Sequence, residues 1–336
     1  MSAVTAVKPG AMVDGFGRTI SYVRISVTDR CNLRCRYCMA EHMQFLPRRD
    51  LLTLEEIVEL ADIFIARGVR RIRLTGGEPL VRRGIDGLFE AFGRRIGSDL
   101  EEVTLTTNGV LLDRYADLLA GSGVRRVNVS LDSLRPERFA HITRGGELDG
   151  VLAGIAAARA AGLKVKINMV ALAGLNDDEF EEMLLWCDGE GLDLTLIETM
   201  PLGEVEEDRT CHYLPLDAVR RRLEHRFTLI PTLSRTGGPA RYYEVAGHSA
   251  RLGMITPLSA NFCAGCNRIR VAATGTVYGC LGHDQKVELR DALRSGGGQA
   301  VDRLLDALLA GKTKGHDFRI AAARPAVARH MSFTGG

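Results

Sequence analysis

Lysine is scarce in this 336-residue chain: only six of the 44 basic side chains are lysine, and arginine makes up the rest. That bias is compositional, so an arginine carries meaning only where it sits at a strand end or beside a cysteine. Charge of one sign is also lacking. A net charge of +2 gives no electrostatic footprint for nucleic acid or an anionic membrane surface. No apolar run approaches the ~20 residues of a membrane span. Residues 1–15 lack the basic start and apolar core of a secretory leader, and cytoplasm is the expected compartment, which keeps thiols reduced. No segment is of low complexity. What remains is a soluble globular composition, 46% apolar and 26% charged, with length for one large domain or two ordinary ones.

The eight cysteines are the informative minority. Cys31, Cys35 and Cys38 follow C-x3-C-x2-C, with Tyr37 before the last. Thiolates this close cannot all pair as disulfides and point to metal or redox chemistry. A structural zinc site takes four ligands, and His42 is the nearest fourth. Three thiolates on a four-iron, four-sulfur cube instead leave one iron open to a small molecule. A second group, Cys263-x2-Cys266-x13-Cys280, is followed by His283. By spacing alone this is a Cys3His zinc pattern; beside an iron–sulfur motif it suits a second cluster. Cys187 and Cys211 belong to neither group and fit an ordinary core or surface thiol.

Between the triplets the chain alternates strands and helices. Tyr22–Val27 alternates apolar and polar residues up to the first cysteine. Thr53 with Glu56 three residues on is a capping-box signature for a helix that Gly68 ends. Strands are expected at 71–75, 103–106, 126–130, 164–170 and 192–198, with helices at 85–95, 114–119 and 177–186 and an alanine-rich helix ended by Gly162. Six such units predict a parallel α/β fold, either an incomplete, three-quarter barrel or a doubly wound open sheet. In such folds chemistry collects at the C-terminal strand ends. The cysteines, Gly76-Gly77-Glu78, Thr106-Thr107-Asn108-Gly109 and Ser130-Leu131-Asp132-Ser133 all fall there. After Pro201 the pattern changes: loops are expected at 201–215 and 231–240, and helical patterns around 287–293 and 301–309. The division is thus an arm (1–22), a partial barrel (23–200) and a C-terminal region (201–336).

The first triplet resembles the signature of the radical S-adenosylmethionine (SAM) superfamily. The resemblance extends over nearly the whole chain to the GTP 3',8-cyclases of molybdenum cofactor biosynthesis. It is carried by Asp14-x-Phe16-Gly17-Arg18, Tyr22–Arg30, Thr75–Leu80, Thr106–Gly109, Asn128–Ser133, Ile197–Pro201, Phe262–Arg270 and the terminal Gly335-Gly336. It implies a radical SAM partial barrel with a C-terminal extension carrying a second Fe–S cluster, hence two [4Fe-4S] clusters, on Cys31, Cys35 and Cys38 and on Cys263, Cys266 and Cys280. SAM is expected at Tyr37, Gly77, Glu78, Thr107, Ser130 and Met200. GTP is expected at Arg24, Arg73, Thr106, Lys166, Arg268 and Arg270, with Arg71 as a second-rank candidate. Arg268, Arg270, Gly335 and Gly336 are the expected catalytic group, with the Gly-Gly tail inserted into the barrel.

The implied reaction joins C3' of the GTP ribose to C8 of its guanine. The implied partners are a flavodoxin- or ferredoxin-type electron donor, cyclic pyranopterin monophosphate synthase as the next enzyme, and a second copy in a homodimer. Two positions depart from the family pattern: Thr334, where an apolar residue is usual, and Thr195-Leu196-Ile197-Glu198, where Arg-Phe-Ile-Glu is usual. A radical SAM peptide-modifying enzyme and a zinc-stabilised binding protein are the alternative functions.

Overall fold

A computed structural model describes residues 10–205, 210–233, 236–319 and 325–335. The first two-thirds are repeating β/α units: β1 (Tyr22–Ser26), α1 (Leu54–Ala66), β2 (Arg71–Thr75), α2 (Ile85–Gly93), β3 (Glu102–Thr107), α3 (Leu112–Gly121) and β4 (Arg126–Ser130). Helices α4 (Pro136–Thr143) and α5 (Leu148–Ala160) lead to β5 (Lys164–Ala171), and α6 (Phe180–Gly189) leads to β6 (Asp193–Glu198). Then follow α7 (Leu216–Leu223), β7 (Leu229–Thr232), β8 (Arg241–Val245), β9 (Arg251–Ile255), β10 (Arg268–Val271), β11 (Thr276–Tyr278), β12 (Lys286–Glu288), α8 (Arg290–Ala310, broken at Gly297) and the single turn α9 (Met331–Thr334).

Alternation along the strands gives the barrel its two faces. Val23, Ile25, Ile72, Leu74, Val103, Leu105, Val127 and Val129 are at most 1% exposed and belong to the same core as Phe64, Phe89 and Leu119 of the helices. The intervening residues Arg24, Arg73, Thr104, Asn128 and Lys166 turn the other way, into the barrel. Parallel register then aligns them. Arg24 stands opposite Arg270 on one side and Arg73 on the other, Arg73 opposite Thr104, and Asn128 opposite Lys166.

The doubly wound alternative does not hold, because β1 to β6 run side by side in chain order, each parallel to the next. The C-terminal region extends the same sheet at both ends. β10 pairs parallel with β1, and β9 pairs parallel with β6. Each then pairs outward, β10 with β11 and β9 with β8, in antiparallel ladders. The barrel therefore stays open between β9 and β10, and residues from both parts of the chain face its interior.

Two sequence expectations change. Val287 is not helical: it pairs with Val277 between β11 and β12, and α8 starts at Arg290. Three apolar positions at this spacing suit either element, and the hairpin partner decides. The loop expected at 231–240 begins inside β7, which runs to Thr232; α7 lies between the two expected loops, and α4 begins at Pro136, where proline suits the first helical turn.

The capping box is present: Thr53 Oγ1 accepts from Glu56 N at 3.2 Å, and Glu56 Oε2 accepts from Thr53 N at 2.8 Å. Thr53→Ala should lower the unfolding free energy by ~1 kcal/mol, read as a lower denaturant midpoint; an unchanged midpoint would show that α1 is held without its cap.

Candidate active site

Two chambers lie inside the barrel. The first, of about 170 Å³, is lined by Cys31, Cys35, Cys38, Tyr37, Gly77, Thr106, Thr107, Ser130 and Met200. The second, of about 140 Å³, is lined by Arg24, Arg73, Lys166, Cys263, Cys266, Arg268, Arg270 and Cys280. Asn168, Ile197, Met200 and Met331 border both. Of the expected SAM residues, Tyr37, Gly77, Thr107, Ser130 and Met200 line the first chamber and Glu78 lines neither, while the expected nucleotide residues Arg24, Arg73, Lys166, Arg268 and Arg270 line the second. Thr106, expected with the nucleotide, lines the first chamber, and its buried hydroxyl has no partner among the described residues.

The loop carrying the first triplet is fixed by β2. Gly77 N donates to the Thr28 carbonyl and Glu78 N to the Arg30 carbonyl, both at 2.8 Å. A Cβ on Gly77 would lie 2.4 Å from the Arg30 oxygen, so glycine is required here by the protein's own backbone. Glu78 is turned inward. Its carboxylate accepts from Leu80 N (3.0 Å), the Thr107 hydroxyl (2.8 Å) and Asn108 N (2.6 Å), while burial pushes its carboxyl up to about 7. Glu78 and Thr107 thereby build the turn after β3, with Thr107 Oγ1 also accepting from Gly109 N at 3.1 Å. Asn108 Nδ2 reaches Cys31 Sγ at 3.8 Å. Tyr37 is anchored through its hydroxyl to Asp132 at 2.8 Å, and Asp132 also accepts from Val170 N. Burial raises the Asp132 carboxyl to about 6. His42 is exposed.

In the second chamber the electrostatics are one-sided. Arg24, Arg73 and Lys166 are 6–8% exposed, yet among the described residues no carboxylate pairs with them or with Arg268 and Arg270. Burial, then Arg270 and Arg73, pull Arg24 well below its ordinary range; burial and Arg268 pull Arg270 down to about 10. Burial followed by Arg73 lowers Lys166. The Nε atoms of Arg24 and Arg73 and Oδ1 of Asn168 are buried without partners. Such a set is costly unless an anion completes it.

The second triplet is held by three cations that sequence reasoning missed. Arg18 donates to the Cys263 carbonyl at 2.8 Å and is braced by Asp14. Lys312, 3% exposed, donates to the Gly279 carbonyl at 2.7 Å and reaches Cys266 Sγ at 3.9 Å. Arg329 donates to the carbonyls of Cys280 (3.3 Å), Leu281 (2.6 Å) and His283 (2.7 Å). Burial raises the Cys266 thiol, but Arg268 and Lys312 outweigh it and leave the thiol below its usual range, which favours thiolate. His283 Nε2 is engaged with the Gly315 carbonyl at 2.8 Å. A cube accepts three thiolates at its corners and spreads them wider than one ion does. Both triplets line chamber walls, and among the described residues no three His, Cys, Asp or Glu side chains gather around a single-ion point. Cys187 is fully buried and Cys211 exposed.

The tail enters the barrel. The Ala326 and Gly203 amides donate to the Pro201 and Val327 carbonyls, which fastens the tail to the segment after β6. Gly335 packs on Thr75 so closely that a Cβ would lie 1.9 Å from its hydroxyl, and Gly335 adopts φ +75. Arg270 donates to the Gly335 carbonyl. Thr334 is 1% exposed, and its hydroxyl is buried without a hydrogen-bond partner among the described residues. Gly336 lies outside the described residues.

The fold and the first triplet define a radical SAM enzyme. The radical SAM superfamily profile matches residues 25–187, and the molybdenum cofactor synthesis C profile matches residues 192–318. The chain shares its fold with Streptococcus suis SuiB bound to S-adenosylmethionine, with a TM-score of 0.64 at 15% identity, covering 94% of this chain and 78% of that one. It is 59% identical over 329 residues to the GTP 3',8-cyclase of Rhizobium meliloti, covering 97% of this chain and 94% of that protein. To the GTP 3',8-cyclase of Erythrobacter litoralis it is 57% identical over 327 residues, covering 97% and 98%. The chain belongs to the GTP 3',8-cyclase family.

Gly77→Ala drives a methyl group into the Arg30 carbonyl and should displace the loop that carries Cys31. The expected result is a cost of ~1–3 kcal/mol and loss of iron from the first triplet. Full iron content with an unchanged unfolding midpoint would contradict it.

Proposed function

We propose that this chain converts GTP to (8S)-3',8-cyclo-7,8-dihydroguanosine 5'-triphosphate, with SAM in the first chamber, GTP in the second and a [4Fe-4S] cluster on each triplet. The observation that carries the reading is the set of five cations in the second chamber without carboxylate partners among the described residues. A triphosphate is an anion that such a set fits: arginine offers paired donors to phosphate oxygens, and lysine a point charge.

Cys31, Cys35 and Cys38 would hold the first cluster, which would supply the one-electron reduction that turns bound SAM into an abstractor of the C3' hydrogen of GTP; joining C3' to C8 would then need one further electron and one proton to give the product. The protein's own residues position the reactants and exclude solvent. The backbone at Tyr37 and Gly77, with Ser130 and Met200, surrounds SAM, while Glu78 and Thr107 act by fixing the turns around it. Arg24, Arg73, Lys166, Arg268 and Arg270 hold the nucleotide, and Thr106 stands at the join of the chambers. Met200 and Met331, at the shared border, place the ribose beside the adenosyl group. Arg270 and Gly335 fasten the tail as a wall of the site.

In this reading residues 23–200 start the radical and residues 201–336 choose the molecule that receives it. The electron comes from a flavodoxin- or ferredoxin-type donor, the product passes to cyclic pyranopterin monophosphate synthase, and the enzyme is a cytoplasmic homodimer. No helix among the described residues is long and apolar enough to cross a membrane.

Anaerobic incubation of the reduced, reconstituted chain with SAM and GTP tests the reading. The cyclised nucleotide is expected; 5'-deoxyadenosine without any GTP-derived product would overturn it. Two clusters predict about eight iron per chain and no stoichiometric zinc, and one zinc per chain would overturn the assignment of the second triplet. Arg268→Ala and Arg270→Ala should each lower cyclised product by about 10- to 100-fold, as loss of a charge-assisted bond implies, while SAM cleavage and iron content persist. Loss of iron in these variants would make the two arginines structural instead.

A further inference from the structure

Lys166 does not stand alone in the wall of the second chamber. Its Nζ lies 3.1 Å from the hydroxyl of Tyr242, the only acceptor it meets among the described residues. An ammonium group only donates, so the tyrosine oxygen accepts from it, and the same hydroxyl lies 3.0 Å from that of Thr236, where either group can donate. The hydroxyl of Tyr242 thus links Lys166 to Thr236.

The ring of Tyr242 is 2% exposed and occupies a slot made by two small residues. A Cβ on Gly253 would lie 2.8 Å from Thr195 Oγ1 and 3.0 Å from Tyr242 Cε1, so β9 can carry no side chain there. Arg251, paired with Asp193 at 2.6 Å, faces the ring from the same strand at 5.6 Å from its centroid. The charged groups facing Lys166 from neighbouring strands are Arg73, Arg126, Asp193 and Glu102, none of them in hydrogen-bond contact with it. Tyr242 itself does not line the nucleotide chamber, whereas Thr236, Gly238, Pro239 and Ala240, on the segment leading to it, do.

We propose that Tyr242 is a positioning residue for nucleotide binding: its hydroxyl aims the Lys166 ammonium into the chamber and ties that aim to the wall segment 236–240. The proposal rests on the assignment of Lys166 to the triphosphate. Tyr242 touches neither substrate nor cluster and acts through Lys166. Without the hydroxyl, the ammonium loses its one fixed acceptor and the wall segment its anchor, so GTP must order both on binding.

The test uses the full, anaerobically reconstituted chain with Lys166→Met, Tyr242→Phe and Thr236→Val, and measures GTP binding by equilibrium dialysis, the KM for GTP, kcat, SAM binding, iron content and the unfolding midpoint. Tyr242→Phe should weaken GTP binding and raise the KM for GTP by about 3- to 10-fold. Its kcat, SAM binding, iron content and midpoint should stay as in the parent. Thr236→Val should move GTP binding in the same direction by a smaller factor, and Lys166→Met should weaken it more than either. Parent-like GTP binding in Tyr242→Phe, with weakened binding in Lys166→Met, overturns the positioning role alone. Parent-like binding in Lys166→Met overturns the assignment of Lys166 itself. A Tyr242→Phe variant that loses kcat at unchanged KM, or loses iron or midpoint, also overturns the positioning role and makes the ring structural.

Discussion

Uncompensated positive charge inside a barrel is the constraint on which this structure depends. Arg24, Arg73 and Arg270 stand level on adjacent strands because β10, β1 and β2 pair in register. Removing such groups from water is expensive, and their mutual repulsion adds to the cost. The sheet tolerates them because its outward face buries an apolar core against the helices, leaving the interior free for polar side chains. A folded chain that holds several buried cations apart is organised for a polyanion, and in the proposed function the nucleotide is that polyanion.

The C-terminal region makes that interior. Its strands β10 and β9 flank the six-stranded run, its cysteines line the cationic chamber, and its tail returns to β2. Arg18, Lys312 and Arg329 each come from a different segment and each hold a backbone carbonyl at or beside a cysteine of the second triplet. The arm, the end of α8 and the tail are thus tied to one site. Arg270 serves both functions of the region, facing the nucleotide chamber and gripping Gly335.

Much of this was legible in the sequence where the signal is local. Cysteine spacing, the capping box at Thr53, the Gly-Gly-Glu turn and strand alternation each depend on a few consecutive residues. The arginines were visible as strand residues, but their alignment is a matter of register. The anchors were not legible. Arg18 meets Cys263 across 245 positions, and Lys166 meets Tyr242 across 76, distances over which no periodicity operates. Gly77 was marked for its closeness to a bound molecule, yet the nearer demand comes from the Arg30 carbonyl. Val287 pairs with Val277 of another strand, a partner that local spacing does not reveal, and Thr195 keeps its hydroxyl buried without a partner among the described residues.

The central claim is that the two chambers, joined at Asn168, Ile197, Met200 and Met331, bring the adenosyl group of SAM within reach of the ribose of GTP. The most direct measurement is the mass of 5'-deoxyadenosine formed from unlabelled SAM and GTP carrying deuterium at C3'. A shared interior predicts one deuterium in the 5'-deoxyadenosine that accompanies cyclised product. Unlabelled 5'-deoxyadenosine, formed in step with product that retains the deuterium, would contradict it.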